Sequence, residues 1–241
     1  MHALLFLSLF LVSNASSANP VPMGYPNRGS LEAGANLSSL IKEHSDLLSS
    51  VSPPEFQYGT DQMAKALVDI GTWGAGIQRQ PVWIGDISKK GGEKLARHVT
   101  HQRGLDVDIA YLVHQHKRTG HRARRFHDRF TEQFGLKGKL GPNFDLEWNY
   151  QLLRKIIGSM DVESIYVGCT IYDAMETLDS KQPSSIMKQI YGQKGHEDHF
   201  HLRLKCPTGV SACSNSWWED PSARKKEKSR VAKSTEKYRE C

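Results

Sequence analysis

The chain has no apolar run long enough to cross a bilayer as a helix. Its one extended apolar stretch, Leu4 to Val12, falls well short of the roughly 20 residues such a helix needs. It has no Cys-x-x-Cys pair, which argues against a four-cysteine zinc site. It has no His-Glu-x-x-His helix, no Gly-x-Ser-x-Gly elbow and no phosphate-binding glycine loop ending in Lys-Ser/Thr, so three common hydrolase and nucleotidase arrangements are excluded. No internal repeat is visible. Asp106 and Asp108 are the obvious carboxylate pair, but two positions apart on a strand they cannot flank a glycosidic bond from opposite faces.

What is present describes a folded domain. At 241 residues, with 38% hydrophobic and 24% charged residues, the chain can bury its own core and is not of disordered composition. The net charge of +6 suits an acidic partner: nucleic acid, an anionic membrane surface or an anionic wall polymer. Part of the excess sits in residues 219–241, which read as a basic, solvated tail. Leu4 to Val12 followed by Ser16-Ser17-Ala18 reads as an export signal cleaved after Ala18, although only the amino terminus and His2 supply its positive end. The expected layout is therefore signal 1–18, folded domain 19–218 and tail 219–241.

An exported chain with four cysteines is expected to form disulfides. Cys206 and Cys213 are close in sequence, with Pro207 and Gly209 to turn the chain between them, and are expected to pair; Cys169 and Cys241 are then partners by elimination.

Residues 19–36, with Pro20, Pro22 and Pro26, predict an extended lead-in. Helical spacing predicts helices over Leu37 to Leu48, from a Thr60 cap to a Gly71 stop, from an Asp145 cap through Ile157, and over Ile171 to Leu178. Strands are expected around Pro81 to Asp86, Leu105 to Leu112, Ser164 to Val167 and His199 to Leu204, the last half-buried. Without regular strand–helix alternation the expected class is α+β, a mostly antiparallel central sheet flanked by helices.

Two motifs carry the chemistry. In His199-Phe200-His201-Leu202-Arg203-Leu204 the two histidines share a strand face, and His196 precedes them on a turn led by Gly195. A lone His-x-His is ordinarily a surface feature, but three histidines within six residues on a strand with an apolar back are not. The other motif supplies His101 and Asp108, with Gly104 permitting a sharp turn between loop and strand. Taken singly, Asp108 would be a surface ion pair and His101 a loop residue; together the motifs hold the imidazole and carboxylate donors that zinc takes. The rival segment, His114 and His116 with His121 and His127, lies among Lys117, Arg118, Arg122, Arg124 and Arg125, which disfavour a dication and suit contact with an anionic substrate.

At these residues the chain resembles the LAS metallopeptidases through their His-x6-Asp and His-x-His signature. Within that group it is most similar to the penicillin-insensitive murein endopeptidases. The similarity also runs through Gly24-Tyr25-Pro26-Asn27-Arg28-Gly29, Ile84-Gly85-Asp86-Ile87-Ser88, His98-Val99-Thr100-His101 and Gly195-His196 to Cys206-Pro207, from about Gly24 to Cys213. The resemblance implies Zn2+ held by His101, Asp108 and His201, with His199 as catalytic base and His98 and His196 near the substrate or oxyanion. It implies a periplasmic hydrolase of D-amino-acid cross-links in peptidoglycan, with no nucleic-acid partner. Alternatives are a D,D-carboxypeptidase or dipeptidase of the same fold, or a non-catalytic wall-binding protein. One departure is that Gln193-Lys194 precede Gly195, where the family often has an aromatic residue.

Overall fold

The structure, a computed structural model, describes residues 18–114, 135–136, 138–181, 183–215 and 241. The expected export signal up to Ser17, the basic stretch beyond His114 and the tail before Cys241 lie outside the described residues. The proline-rich lead-in forms β1 (Val21–Tyr25) and β2 (Arg28–Glu32), an antiparallel hairpin, followed by β3 (Ala35–Asn36). The helix expected over Leu37 to Leu48 is divided. α1 (Ser38–Glu43) ends at His44, and Leu48 enters β4 (Leu48–Ser50), where it is buried beside Val82. So short a helix has little stability of its own, and tertiary burial of Leu48 decides the boundary.

β5 (Tyr58–Gly59) pairs with β3 and leads into α2 (Asp61–Gln78). Thr60 caps α2 as expected, its hydroxyl accepting from Met63 N at 3.1 Å. Thr60→Ala is expected to cost about 1 kcal/mol of stability, read as a lowered urea midpoint with unchanged slope. Gly71 does not end the helix. A Cβ there would lie 2.7 Å from Leu48 Cδ2, so the glycine makes room for the Leu48 side chain, and the helix runs on to a left-handed cap at Arg79.

The chain continues through β6 (Val82–Ile84), β7 (Asp106–Ala110), the short hairpin β8 (Gly135–Leu136) and β9 (Lys139–Leu140), α3 (Leu146–Ser159), β10 (Val162–Val167), α4 (Cys169–Lys181), β11 (Ile190–Gly192) and β12 (His199–Leu204). Asp145 caps α3, accepting from Trp148 N at 2.8 Å. The α+β class holds, but the six-stranded sheet, ordered β11-β10-β12-β7-β6-β4, is mixed rather than mostly antiparallel. Its three inner pairings are antiparallel, while both edge strands, β11 and β4, join in parallel. Each edge strand is only three residues long, which the alternation pattern could not orient.

Strand alternation divides the sheet chemically. Val107 and Ile109 of β7, Phe200, Leu202 and Leu204 of β12, and Ile165 and Val167 of β10 enter the core with Leu67 and Ile70 of α2, Leu152 and Ile156 of α3 and Met175 of α4. Each such side chain, fully buried, stabilises the fold by about 1.5–3 kcal/mol relative to exposure. Asp106 and Asp108 of β7, and His199, His201 and Arg203 of β12, take the alternate positions. The antiparallel register places Asp108 beside His201 and Asp106 beside Arg203. β12 was expected to be half-buried; five of its six residues are buried because His98 and His101 of the loop before β7 lie over the polar face. Both expected disulfides are formed, Cys206–Cys213 and Cys169–Cys241. No helix among the described residues is long and apolar enough to cross a membrane.

Candidate active site

The loop from Gly85 to Leu105 builds one wall. Gly85 N donates to Asp108 O at 2.8 Å and Asp108 N to Asp86 O at 3.1 Å, which locks the loop against β7. His101 sits in the left-handed region at φ 66, a conformation costing a non-glycine residue about 1–2 kcal/mol. It is retained because its ring is fixed from behind, with Nδ1 2.9 Å from Ile87 O. A carbonyl only accepts, so Nδ1 carries the proton and Nε2 turns its lone pair into the cleft. Gly104 makes the expected turn at φ 64, where a Cβ would lie 2.8 Å from Gly59 Cα.

All six histidine and aspartate candidates meet in this cleft. Asp108 Oδ1 lies 3.1 Å from His201 Nδ1 and 3.3 Å from His101 Nε2, and those two nitrogens are 3.1 Å apart. His199 Nε2 is 3.6 Å from the same oxygen, and His98 Nδ1 is 3.7 Å from Asp108 Oδ2. The His196 ring lies 5.1 Å from that of His199 and 6.1 Å from that of His201, centroid to centroid. His98, His101 and Asp108 present ligand atoms that all fall within 4.8 Å of one another, so a metal ion could be held there. His114 of the rival segment pairs instead with Asp145, Nε2 to Oδ2 at 2.9 Å; its other histidines lie outside the described residues.

The electrostatics follow from burial and neighbours. Burial alone would raise the Asp108 carboxyl, but the surrounding imidazoles of His101, His199 and His201 outweigh it and hold the group well below the usual range. Asp108 is therefore an anion. Burial would lower His199, yet the charge of Asp108, then the hydrogen bond and charge of Asp198, raise it above its ordinary value. A cation held at Asp108 would cancel the largest of those raising causes. Burial, helped by the charges of His201 and His199, pushes His196 down to about 3, so its ring is neutral at pH 7.

Supporting residues escaped the sequence reading. Asp86 accepts from His98 Nε2 at 3.0 Å and from the Ser52 hydroxyl. Asp198 Oδ1 accepts from His199 Nδ1 at 2.5 Å, which leaves Nε2 of His199 facing the cleft. Asp106 and Arg203 lie behind His201. Tyr111 donates its hydroxyl to His196 O at 2.9 Å and accepts from Gly168 N at 3.2 Å, fixing the turn that carries His196. Arg103 is fully buried; its Nη1 donates to Ser214 O at 2.5 Å and Gly24 O at 3.3 Å and touches both sulfurs of Cys206–Cys213. The alternation of Asp106-x-Asp108 against His201-x-Arg203 was the one sequence signal for part of this shell. Asp86 stood out only within the Ile84 to Ser88 segment of the family resemblance, and nothing in the sequence tied it to Ser52, 34 residues away.

Residues 22–236 match the family described as penicillin-insensitive murein endopeptidase. The chain is 24% identical over 248 residues to the penicillin-insensitive murein endopeptidase of Citrobacter koseri, covering 91% of this chain and 88% of that protein. It is 23% identical over 226 residues to that of Escherichia coli O157:H7, covering 84% and 80%. Against the protein of the same description from Klebsiella pneumoniae subsp. pneumoniae it is 26% identical over 157 residues, covering 58% of this chain and only 56% of the relative's length. With the family match over residues 22–236 spanning most of the sequence and including every residue of the cleft, the chain belongs to the penicillin-insensitive murein endopeptidase family.

Proposed function

We propose that this chain is an exported, zinc-dependent D,D-endopeptidase that hydrolyses the peptide cross-links of peptidoglycan in the periplasm. The observation that carries this reading is the triangle formed by His101 Nε2, Asp108 Oδ1 and His201 Nδ1, with edges of 3.1, 3.1 and 3.3 Å. Tetrahedral zinc with bonds of about 2.0–2.1 Å holds its ligand atoms about 3.3–3.4 Å apart, so the three donors fit it. Two nitrogens and one carboxylate are also the donor chemistry zinc favours. His98 is the poorer third ligand, since its Nε2 is committed to Asp86 and its Nδ1 approaches the outer oxygen of Asp108.

Zinc bound there would polarise the scissile carbonyl and acidify a water. The remaining work falls to this chain's own side chains. His199, with Nδ1–H held by Asp198, offers Nε2 to take the proton of the attacking water and pass it to the leaving amine. Neutral His196 is the candidate donor to the developing oxyanion, and His98, whose Nε2 hydrogen goes to Asp86, would lie near the substrate. No serine nucleophile is involved, so penicillin, which acylates one, should leave the rate unchanged. The net positive charge suits an anionic wall polymer.

The test is digestion of purified cross-linked muropeptides by the mature protein, with products read by mass and zinc measured on the same sample. Cleavage of dimers to monomers, one zinc per chain, loss with chelator and recovery with zinc are expected; His201→Ala should lose both zinc and cleavage. Release of only a terminal D-alanine, or hydrolysis only of a free dipeptide, would instead mark a carboxypeptidase or dipeptidase. Sedimentation with cell walls without peptide release would mark a binding protein.

A further inference from the structure

We infer that Asp106, anchored by Arg203, is the positioning residue that fixes the tautomer of His201. The inference rests on the metal reading above and extends it to residues that contribute no ligand atom to the triangle. Asp106 is two positions before Asp108 on β7, so both carboxylates project from the same face of the sheet. Asp106 is fully buried and its Oδ1 serves two neighbours at once: it accepts from Arg203 Nε at 2.7 Å and lies 2.9 Å from His201 Nε2.

His201 meets a carboxylate at each nitrogen, Asp108 at 3.1 Å and Asp106 at 2.9 Å, and the shorter contact is to the one that Arg203 anchors. A guanidinium only donates, and an ionised carboxylate only accepts. The hydrogen between Asp106 and His201 therefore sits on Nε2, and the lone pair sits on Nδ1. That lone pair points at the position shared with His101 Nε2 and Asp108 Oδ1, each 3.1 Å away. Ile87 O performs the same service for His101 through a backbone carbonyl. The two histidines thus have backstops of different kinds. That of His101 cannot be removed by side-chain substitution, whereas that of His201 is a buried ion pair and can.

Arg203 has its own anchorage, with Cζ 5.8 Å from the centre of the Tyr166 ring, and Tyr166 is the register partner of His201 on the far side of β12. The Tyr166 ring also meets that of His201 edge-on, centroids 5.6 Å apart, so ring and carboxylate both bear on the same imidazole. A carboxylate behind a ligating histidine is a recurring device whose loss typically weakens metal binding about 10–100-fold.

The test reads the tautomer directly. Nitrogen-15 NMR of the metal-free protein at pH 8, with the His201 signals identified by their loss in His201→Gln, should show wild-type His201 protonated on Nε2 alone. Asp106→Ala should show a mixture or the Nδ1-protonated form, and should bind zinc about 10–100-fold more weakly in a chelator competition. Asp106→Asn keeps an acceptor of the same size, so it should hold the tautomer better than alanine and lose less affinity. Wild-type His201 protonated on Nδ1 would overturn the inference, as would a folded Asp106→Ala with zinc affinity within twofold of wild type. The wild-type spectrum decides the matter even where the alanine variant does not fold. Failure of the wild type to bind zinc or cleave muropeptides would sink the endopeptidase reading itself, whereas an unchanged tautomer in a zinc-binding wild type and variant would sink only the role of Asp106.

Discussion

His199→Ala is expected, under the proposed zinc-peptidase mechanism, to keep its metal and its fold and to lose about 10²–10⁴ in kcat on cross-linked muropeptides. His199 Nε2 stands 3.6 Å from Asp108 Oδ1, outside the 3.1–3.3 Å triangle but beside it, as a base acting on a bound water must. Its other nitrogen is tied to Asp198 at 2.5 Å, so the ring is aimed before substrate arrives. The side chain contributes no edge of the triangle, hence zinc content should survive its removal. KM should change little, because the lost interaction belongs to the transition state rather than to substrate binding. Wild-type turnover in the alanine variant, with zinc bound, would remove His199 from the mechanism.

Arg203→Met is expected to be the most destabilising single substitution in the polar layer, costing about 3–5 kcal/mol of unfolding free energy at pH 7. Met fills much of the space but leaves Asp106 fully buried with its main counter-charge gone. Burial by itself would raise the Asp106 carboxyl; the charge of Arg203, then the hydrogen bond and charge of His201, hold it well below the usual range. The sign follows from that depression. A carboxyl lowered in the folded state contributes stability that is complete above its unfolded pKa, near 4, and is lost as pH falls through the folded value. The gap between wild type and Arg203→Met should therefore be widest at neutral pH and narrow below pH 4. Urea unfolding at pH 7 and pH 3 measures it; equal stabilities at pH 7 would mean that the pair contributes nothing net.

The parts of the fold legible in the sequence are those where one local signal suffices. Thr60 and Asp145 announce their helices because a capping side chain acts within three residues of itself. β7 and β12 announce their faces because alternation is a property of the strand alone. Asp108 and His201 were legible for the same reason, since a carboxylate or imidazole on the polar side of an otherwise apolar strand needs an explanation, whereas His101, on a loop, was legible only through its spacing from Asp108. Legibility fails where a distant neighbour decides. Gly71 reads as a helix stop until Leu48 is seen occupying the space its side chain would need. Leu48 reads as helical until Val82 is beside it. The direction of the edge strands depends on partners remote in sequence, so their parallel pairing could not be read. Asp86 and Asp198 look like ordinary surface acids until the imidazoles of His98 and His199 are placed against them.

Arg103 has a consequence for how the molecule is made. Its guanidinium joins Gly24, 79 residues upstream, to Ser214, 111 residues downstream, and sits two positions from His101. Closing loops of that length carries an entropic cost that only the finished contacts offset. A chain synthesised from its N-terminus has made His101 and Asp108 long before it makes His201, and the clamp beneath them cannot close until residue 214 has emerged. The centre is thus among the last parts to assemble, and a fragment stopping short of Cys213 would carry the first motif without the support that shapes it.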